Sequence, residues 1–445
     1  MKFYNRDLEL QSLHQLKQQA EHRGVMTVLT GRRRVGKTLL ALHHVKGHRF
    51  LYLFATRKEE HLLCGEFLEE VKKFLHWPII GEIRAIKDIF ALLLEAAKKE
   101  SFTLIIDEFQ EFFYINPSVY SDFQKLWDLN KDSAKIHVIF IGSVYSLMHK
   151  IFEENKQPLF GRTNRILKLQ AFALKTTHDI LTEAQIFSPT RWFHWYVFTG
   201  NMPKYIEILI EEGVKDFEDI LDFCFQKGSI FLNEGKNVLI EEFGRDYTTY
   251  FSILALISEG KTSRGEMESL LQKDIGGYLQ RLEEDYTVIT RFRPINAKVQ
   301  SRNQKYKIVD PFLNFWFRFI YRSQSAIELE NFAYVKKIVK REYSTYCGLM
   351  LERFFRTLLA ETGRFNQIGS YWEKGNQNEI DIVAVNDFEK KILIAETKLN
   401  KSRIHLKKLT LRAETLLNHY PGYTPTYLAL SVEDVDSIEE LLDAS

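Results

Sequence analysis

The chain has 445 residues, with 61 Lys+Arg against 59 Asp+Glu for a net charge of +2, and is 45% hydrophobic and 27% charged. That balance excludes a disordered chain and a uniformly basic nucleic-acid coat, and the length suits roughly three domains. Cys64, Cys224 and Cys347 lie far apart. They exclude a disulfide framework or a zinc site and read as small buried hydrophobes in a reducing compartment.

In chain order, the N-terminal residues carry Lys2, Arg6 and Asp7 where a secretory signal needs apolar residues. The most apolar runs, residues 89–97 and 251–257, are too short to span a bilayer. A cytoplasmic protein without membrane contact is expected. Residues 25–30, 50–54, 103–106 and 136–141 are short apolar runs of strand type. Between them, residues 39–44, 59–74 and 89–99 have helical periodicity. Buried strands alternating with helices predict a parallel sheet covered on both faces. From residue 181 the pattern turns helical, over 192–198, 204–212 and 217–233. Three short helical pieces follow at 249–259, 264–272 and 275–284, then strands at 288–293 and 305–309. That order resembles a winged helix. After the aromatic stretch 311–321 a break is expected near 328–341. The tail then combines a helix at 347–359 with strands at 378–385, 391–396 and 424–430.

The segment Gly31-Arg32-Arg33-Arg34-Val35-Gly36-Lys37-Thr38 fits G-x-x-x-x-G-K-[ST] and sits between a strand and a helix, where phosphate chemistry requires it. Its glycines let backbone N–H groups turn toward phosphate oxygens, and the helix N-terminus favours negative charge. Lys37 should reach the β/γ-phosphates of ATP, and the Thr38 hydroxyl should ligate Mg²⁺. The apolar run Leu104-Ile105-Ile106 ends in Asp107 and Glu108, expected to hold Mg²⁺ and to orient the attacking water. The Glu favours hydrolysis over sensing. Ser143 follows the next strand, as a contact to the γ-phosphate or water, or as the N-cap of residues 144–150. Arg162 is either an arginine finger, acting in cis or from a neighbouring subunit of a homo-oligomer, or a surface arginine at a turn.

These motifs occur in a particular order. Phe3-Tyr4-Asn5-Arg6, the phosphate loop, Ile106-Asp107-Glu108-Phe109-Gln110, Gly142-Ser143, residues 158–162 and Gly200-Asn201-Met202-Pro203-Lys204-Tyr205 follow one another. Together they resemble the archaeal-type ATPases, P-loop NTPases related to AAA+ and STAND proteins. The resemblance covers essentially the whole chain. It implies that Asn5 and Arg6 lie near the adenine and that a helical lid carries the Gly-x-x-Pro-x-Tyr element, in which Asn201 replaces a usual glycine. The expected architecture is α/β: a P-loop core over 1–180, a lid over 181–245, a winged helix over 246–325 and a small α/β domain over 326–445.

Residues 264–281 have a helix–turn–helix cadence. Lys273, Arg281, Arg291, Arg293, Lys298, Arg302, Lys305 and Lys307 supply basic density for DNA phosphates, interrupted by Glu283, Glu284 and Asp285. The alternative is a packing module. In the tail, a hairpin centred on residues 387–390 would set Asp381 opposite Glu396, with Lys398 on the same strand face as Glu396. Two carboxylates for Mg²⁺ and an ammonium would then converge, with Glu352 as a third acid. The alternative is a set of solvated hairpin ends. The pattern resembles the PD-(D/E)xK, restriction-endonuclease-like fold, with Ile380 in place of the namesake proline. That fold does not by itself assure cleavage. His43, His44 and His76 read as satisfied surface or core histidines, and Trp192, Trp195, Trp316 and Phe317 as core builders.

Overall fold

A computed structural model describes residues 3–76, 83–243, 247–298, 300–301, 303–373, 375 and 377–444. The chain divides into two compact units, Met1–Ala171 and Phe172–Ser445. The first ends nine residues before the expected boundary at 180, which falls inside the helix Leu174–Glu183.

In the first unit, strands β1 (Val25–Gly31), β2 (Phe50–Phe54), β3 (Phe102–Asp107), β4 (Ile136–Ile141) and β5 (Arg165–Leu169) form one sheet, ordered β2-β3-β4-β1-β5. Every pairing is parallel. The inner strands β1, β3 and β4 are buried along their whole length, which explains why they read as continuous apolar runs. β5 is an edge strand with Arg165 and Lys168 facing solvent, so its polarity hid it from the sequence. Because all strands run the same way, β1, β4 and β3 end side by side at one edge, where open α/β sheets bind ligands. An aromatic cluster beneath that edge fixes its loops. Phe109 is fully buried, with ring centroids 4.0 Å from Phe140, 5.5 Å from Phe112 and Tyr120, and 5.6 Å from Phe152. Each such pair adds about 0.5–1.5 kcal/mol beyond area burial.

The second unit opens with helices Leu174–Glu183, Pro189–Thr199, Pro203–Glu211, Phe217–Cys224 and Phe231–Phe243. The single helix expected over 217–233 is thus two, the first opened by a capping box at Asp216. Gly200 and Asn201 both have φ near 58°, in the left-handed region. Asn is the non-glycine residue that tolerates it best, so the departure at 201 costs little. Helices Tyr247–Ser258, Arg264–Leu271 and Gly276–Glu284 lead into an antiparallel pair, β6 (Ile289–Phe292) and β7 (Lys305–Ile308). Of the break expected near 328–341, residues 329–331 do separate the helix Gln324–Glu328 from the next, but residues 332–341 open one 30-residue helix, Phe332–Glu361, capped by Asn331. It packs on a sheet ordered β11-β10-β9-β8, from β8 (Gln367–Tyr371), β9 (Ile380–Asn386), β10 (Lys391–Thr397) and β11 (Thr424–Leu430). β8 to β10 are antiparallel, and β11 runs parallel to β10 after the helix Leu406–Leu417. β8, a bulged polar edge strand, gave no sequence signal.

Trp192, Trp195, Trp316 and Phe317 are all buried, as expected of core builders, and so are the three cysteines. Among the described residues no helix is long and apolar enough to cross a membrane.

Candidate functional site

The phosphate loop leaves β1 at Gly31, whose φ is 140°. A Cβ there would stand 2.5 Å from the Leu169 carbonyl oxygen of β5, so only glycine lets the two strands pair so closely. At Gly36, φ is 93° and a Cβ would meet nothing within 4 Å, so conformation rather than crowding requires the glycine. Arg34 also adopts a left-handed φ of 74°. Lys37 is buried, and its ammonium donates to the carbonyl oxygens of Gly31 at 2.8 Å and Arg32 at 3.1 Å, inside the loop. Arg32 and Arg34 are half-buried, Arg33 is exposed, and Val35 is buried. The Arg6 guanidinium donates to the backbone oxygens of Gln170 at 2.7 Å and Val35 at 3.3 Å, tying Asn5 and Arg6 to the loop and to the end of β5.

Across the edge, the Thr38 hydroxyl donates to the Asp107 carboxylate at 2.6 Å. Tyr52 on β2 donates to the same oxygen at 2.9 Å, and the amide of Glu108 donates to the other oxygen at 2.8 Å. Burial, and then the neighbouring carboxylate of Asp107, push the Tyr52 hydroxyl's pKa up, so it remains a donor. A hydroxyl and a carboxylate side by side form a hard-oxygen donor set, which fits Mg²⁺.

Glu108 sits in the left-handed region, φ 53°, and so turns its side chain back over the sheet edge. Its Oε2 accepts from the Ser143 hydroxyl at 2.9 Å and from the Gln110 amide at 2.5 Å. Ser143 is therefore a partner of Glu108 rather than a helix cap. The helix Tyr145–Glu153 begins after Val144 and has no side-chain cap. Gln110 stood in the Ile106–Gln110 motif without a role, and Tyr52 carried no motif signal, so both were missed as site residues. Only the fold brings Tyr52 to the carboxylate of Asp107, 55 residues away.

Arg162 is not brought to this edge. Its guanidinium forms a fork with Asp128, the shortest bond 2.8 Å, and donates to the backbone oxygens of Pro158 and Phe160. Asp128 lies near the end of the helix Ser118–Asn130, and Asn164 bonds Met26 at the start of β1, so this is the opposite edge of the sheet. A finger acting in cis does not fit.

In the C-terminal sheet, Ile382 pairs with Ala395, so Asp381 and Glu396 are the next opposed positions, as the hairpin arithmetic predicts. The Lys398 ammonium lies 3.6 Å from Asp381 and 3.5 Å from Glu396. Asp381 also accepts from the Thr397 amide at 2.9 Å. Arg412 donates to Glu396 at 2.5 Å and to the Glu379 carbonyl at 2.8 Å. Glu352 joins this group through Arg356, which lies 3.4 Å from the Glu352 carboxylate and donates to the Asp381 carbonyl at 2.8 Å. Burial raises the Glu352 pKa, Arg356 opposes the shift, and Asp381 adds to it. Among the described residues no group of three or more His, Cys, Asp or Glu is arranged to hold a metal ion.

The basic residues expected to meet DNA are mostly engaged inside this unit. Lys273 donates to Thr249 and Tyr278, and Arg281 lies beside Tyr250. Arg291 pairs with Glu283 and Glu284, and Arg293 bonds Gln304. Lys305 covers the Trp372 ring and lies 3.7 Å from Glu379, while Lys307 stands 3.5 Å over Phe292. The β6–β7 connection docks on β8, with the Ile295 amide donating to the Ser370 carbonyl at 2.9 Å. Lys298 is exposed, and Arg302 lies outside the described residues.

The histidines bring another correction. His44 is buried but not satisfied: neither ring nitrogen has a hydrogen-bond partner among the described residues.

Residues 3–209 match a family described as an ATPase domain predominantly from Archaea, and residues 316–409 a family of archaeal and bacterial proteins of unknown function. An uncharacterised protein of Methanocaldococcus jannaschii is 31% identical over 407 residues, covering 89% of this chain and 87% of that protein. Among solved structures, a Walker-type ATPase of Pyrococcus abyssi is similar in fold, with a TM-score of 0.53 at 17% identity, covering 71% of this chain and 96% of that one. With its phosphate loop, acidic strand end and parallel sheet in this arrangement, the chain belongs to the family of archaeal-type ATPases, joined to a C-terminal domain of a family without assigned function.

Proposed function

We propose that the chain is a Mg²⁺-dependent ATP hydrolase that couples its nucleotide state to DNA binding or processing. The observation that carries this reading is the alignment at one sheet edge of the loop lysine, the Thr38–Asp107 pair and a Glu108 held by two donors. Lys37 holds the β/γ-phosphates, and Thr38 and Asp107 hold Mg²⁺, which neutralises charge building on the phosphates. Glu108 orients the attacking water. The bonds from Ser143 and Gln110, about 1.5–3 kcal/mol each to a charged acceptor, keep its carboxylate at one position. Asn5 and Arg6, anchored to the loop, border the adenine. Arg162, remote from its own phosphate loop, serves a neighbouring copy. Lys37→Ala should abolish ATP turnover, and unchanged hydrolysis in a clean preparation overturns the reading.

The order of three helices and a hairpin supports a winged helix. The C-terminal order of helix, three antiparallel strands, helix and a fourth strand parallel to the third supports a restriction-endonuclease-like domain. Metal-dependent DNA cleavage lost in Asp381→Ala tests it; no cleavage of any DNA form counts against it.

A second reading, a nucleotide-controlled DNA-binding or protein-interaction switch with a silent C-terminal domain, is favoured by one observation. Lys398 and Arg412 already neutralise Asp381 and Glu396, leaving the carboxylates with protein cations as partners. DNA affinity that differs between ATP and ADP without cleavage supports this version.

A further inference from the structure

Between Thr397 and Glu414 the chain carries Lys398, Lys401, Arg403, Lys407, Lys408 and Arg412 and not one acidic residue. In a protein of net charge +2 this is a concentrated positive segment. Its place in the fold matters more than its composition. It begins at the end of β10, beside Asp381 and Glu396, and returns to them through the helix Leu406–Leu417. That helix buries Leu409, Ala413 and Leu416 against the sheet, which leaves Lys407 and Lys408 exposed. Lys408 is one turn before Arg412, so it stands about 6 Å along the helix from the residue that grips Glu396.

The individual charges divide into two groups. Lys398 and Arg412 hold the carboxylates, and Lys401 pairs with Asp434 at 2.5 Å. Arg403, Lys407 and Lys408 are exposed, and among the described residues none has an ion-pair partner. In the three-helix-and-hairpin unit the cations are scattered: Arg291 pairs with Glu283 and Glu284, Lys305 lies near Glu379, Lys273, Arg293 and Lys307 meet uncharged groups, and Lys298 stands exposed.

We propose that duplex DNA is held through its phosphate backbone by Arg403, Lys407 and Lys408 rather than by the helix–turn–helix unit. Charge complementarity supplies the affinity, and three exposed cations without acidic partners, grouped over residues 403–408, concentrate it on one face. The segment 398–412 contains no Phe, Tyr or Trp, so it lacks the stacking platforms that single strands need. The inference rests on the reading of the C-terminal sheet as a nucleic-acid site. It adds where the duplex lies.

The test uses the full-length protein and a short labelled duplex, with affinity measured by fluorescence anisotropy across a salt series. Arg403→Ala/Lys407→Ala/Lys408→Ala should weaken binding at least 10-fold at low salt. It should also lower the slope of log K against log[salt] by about 0.9 for each phosphate that is no longer neutralised. Lys273→Ala/Lys298→Ala should leave both quantities unchanged, and ATP turnover without DNA should match the unsubstituted protein in both variants. Unchanged affinity in the triple variant overturns the inference, as does loss of affinity in the Lys273/Lys298 variant alone. So does binding to phosphatidylserine vesicles but not to DNA. Cleavage lost in Asp381→Ala while the triple variant still binds normally would leave the C-terminal reading standing and sink only this surface. No binding and no cleavage by the unsubstituted protein would sink both.

Discussion

Gly142→Ala is the sharpest probe of how Glu108 is positioned. A Cβ at this point would lie 2.3 Å from the Met148 sulfur and 2.6 Å from the Gln110 side-chain oxygen. Both neighbours are buried, Met148 and Gln110 each 1% exposed, so neither can swing into solvent. Overpacking of this kind costs about 1–3 kcal/mol. For a unit of this size that is a fall of about 2–4 °C in melting temperature per kcal/mol. The functional effect should exceed the stability effect. The Gln110 amide is one of the two donors to Glu108, and a methyl group that pushes the Gln110 oxygen drags its amide with it. Misplacing the carboxylate that orients the attacking water should lower kcat at least about 10-fold, since a displacement of about 1 Å can cost about 10²-fold. Nucleotide affinity should stay within about threefold, because Gly31 and Lys37 belong to a different strand end. Steady-state ATP hydrolysis and equilibrium binding of a nucleotide analogue, on protein shown folded by thermal melting, separate the two effects. Full kcat in a folded Gly142→Ala protein would refute the positioning role of Gln110.

Other expectations follow from the same unit. Gly31→Ala drives a methyl into the Leu169 carbonyl at a φ that L residues avoid, so it should abolish nucleotide binding and lower the melting temperature; retained binding by calorimetry contradicts the crowding described. The His44 pKa is pulled down to about 4, first by burial and then by His14, His48 and Lys17. The unfolded chain therefore binds a proton that the folded one refuses, so His44 supports stability above pH 6.5 and loses that support as pH falls toward 4. The loss is about 3 kcal/mol at about 1.36 kcal/mol per pKa unit. Melting temperature should drop over that window and drop less in His44→Phe; equal slopes in the two proteins would exclude His44 as the cause. If Arg162 serves a neighbouring copy, mixing Arg162→Ala with Lys37→Ala protein should restore turnover that neither has alone. An Arg162→Ala protein with full activity ends that proposal.

Much of the ATPase half was legible in the sequence because its signals are local. A glycine-bounded loop before a helix, and carboxylates after an apolar run, carry their geometry with them. The hairpin register around residues 387–390 was likewise set by counting, since strand side chains alternate with period two. What stayed hidden depended on neighbours distant in the chain. β5 and β8 are edge strands whose polar residues suit their exposed sides and mask the pattern. The partnership of Glu108 with Ser143, 35 residues away, exists because parallel strands end together at one edge.

The basic residues of the hairpin unit and those after β10 differ for one physical reason. The sequence by itself determined the phosphate loop, the acidic strand end and the Asp381–Glu396–Lys398 juxtaposition, because each is fixed by spacing along one or two adjacent elements. Only the tertiary structure decided which cations are free. A lysine's value to a partner depends on what it already faces, and that is set by packing between distant segments. Lys305 and Lys307 face Trp372, Phe292 and Glu379, whereas Arg403, Lys407 and Lys408 face solvent.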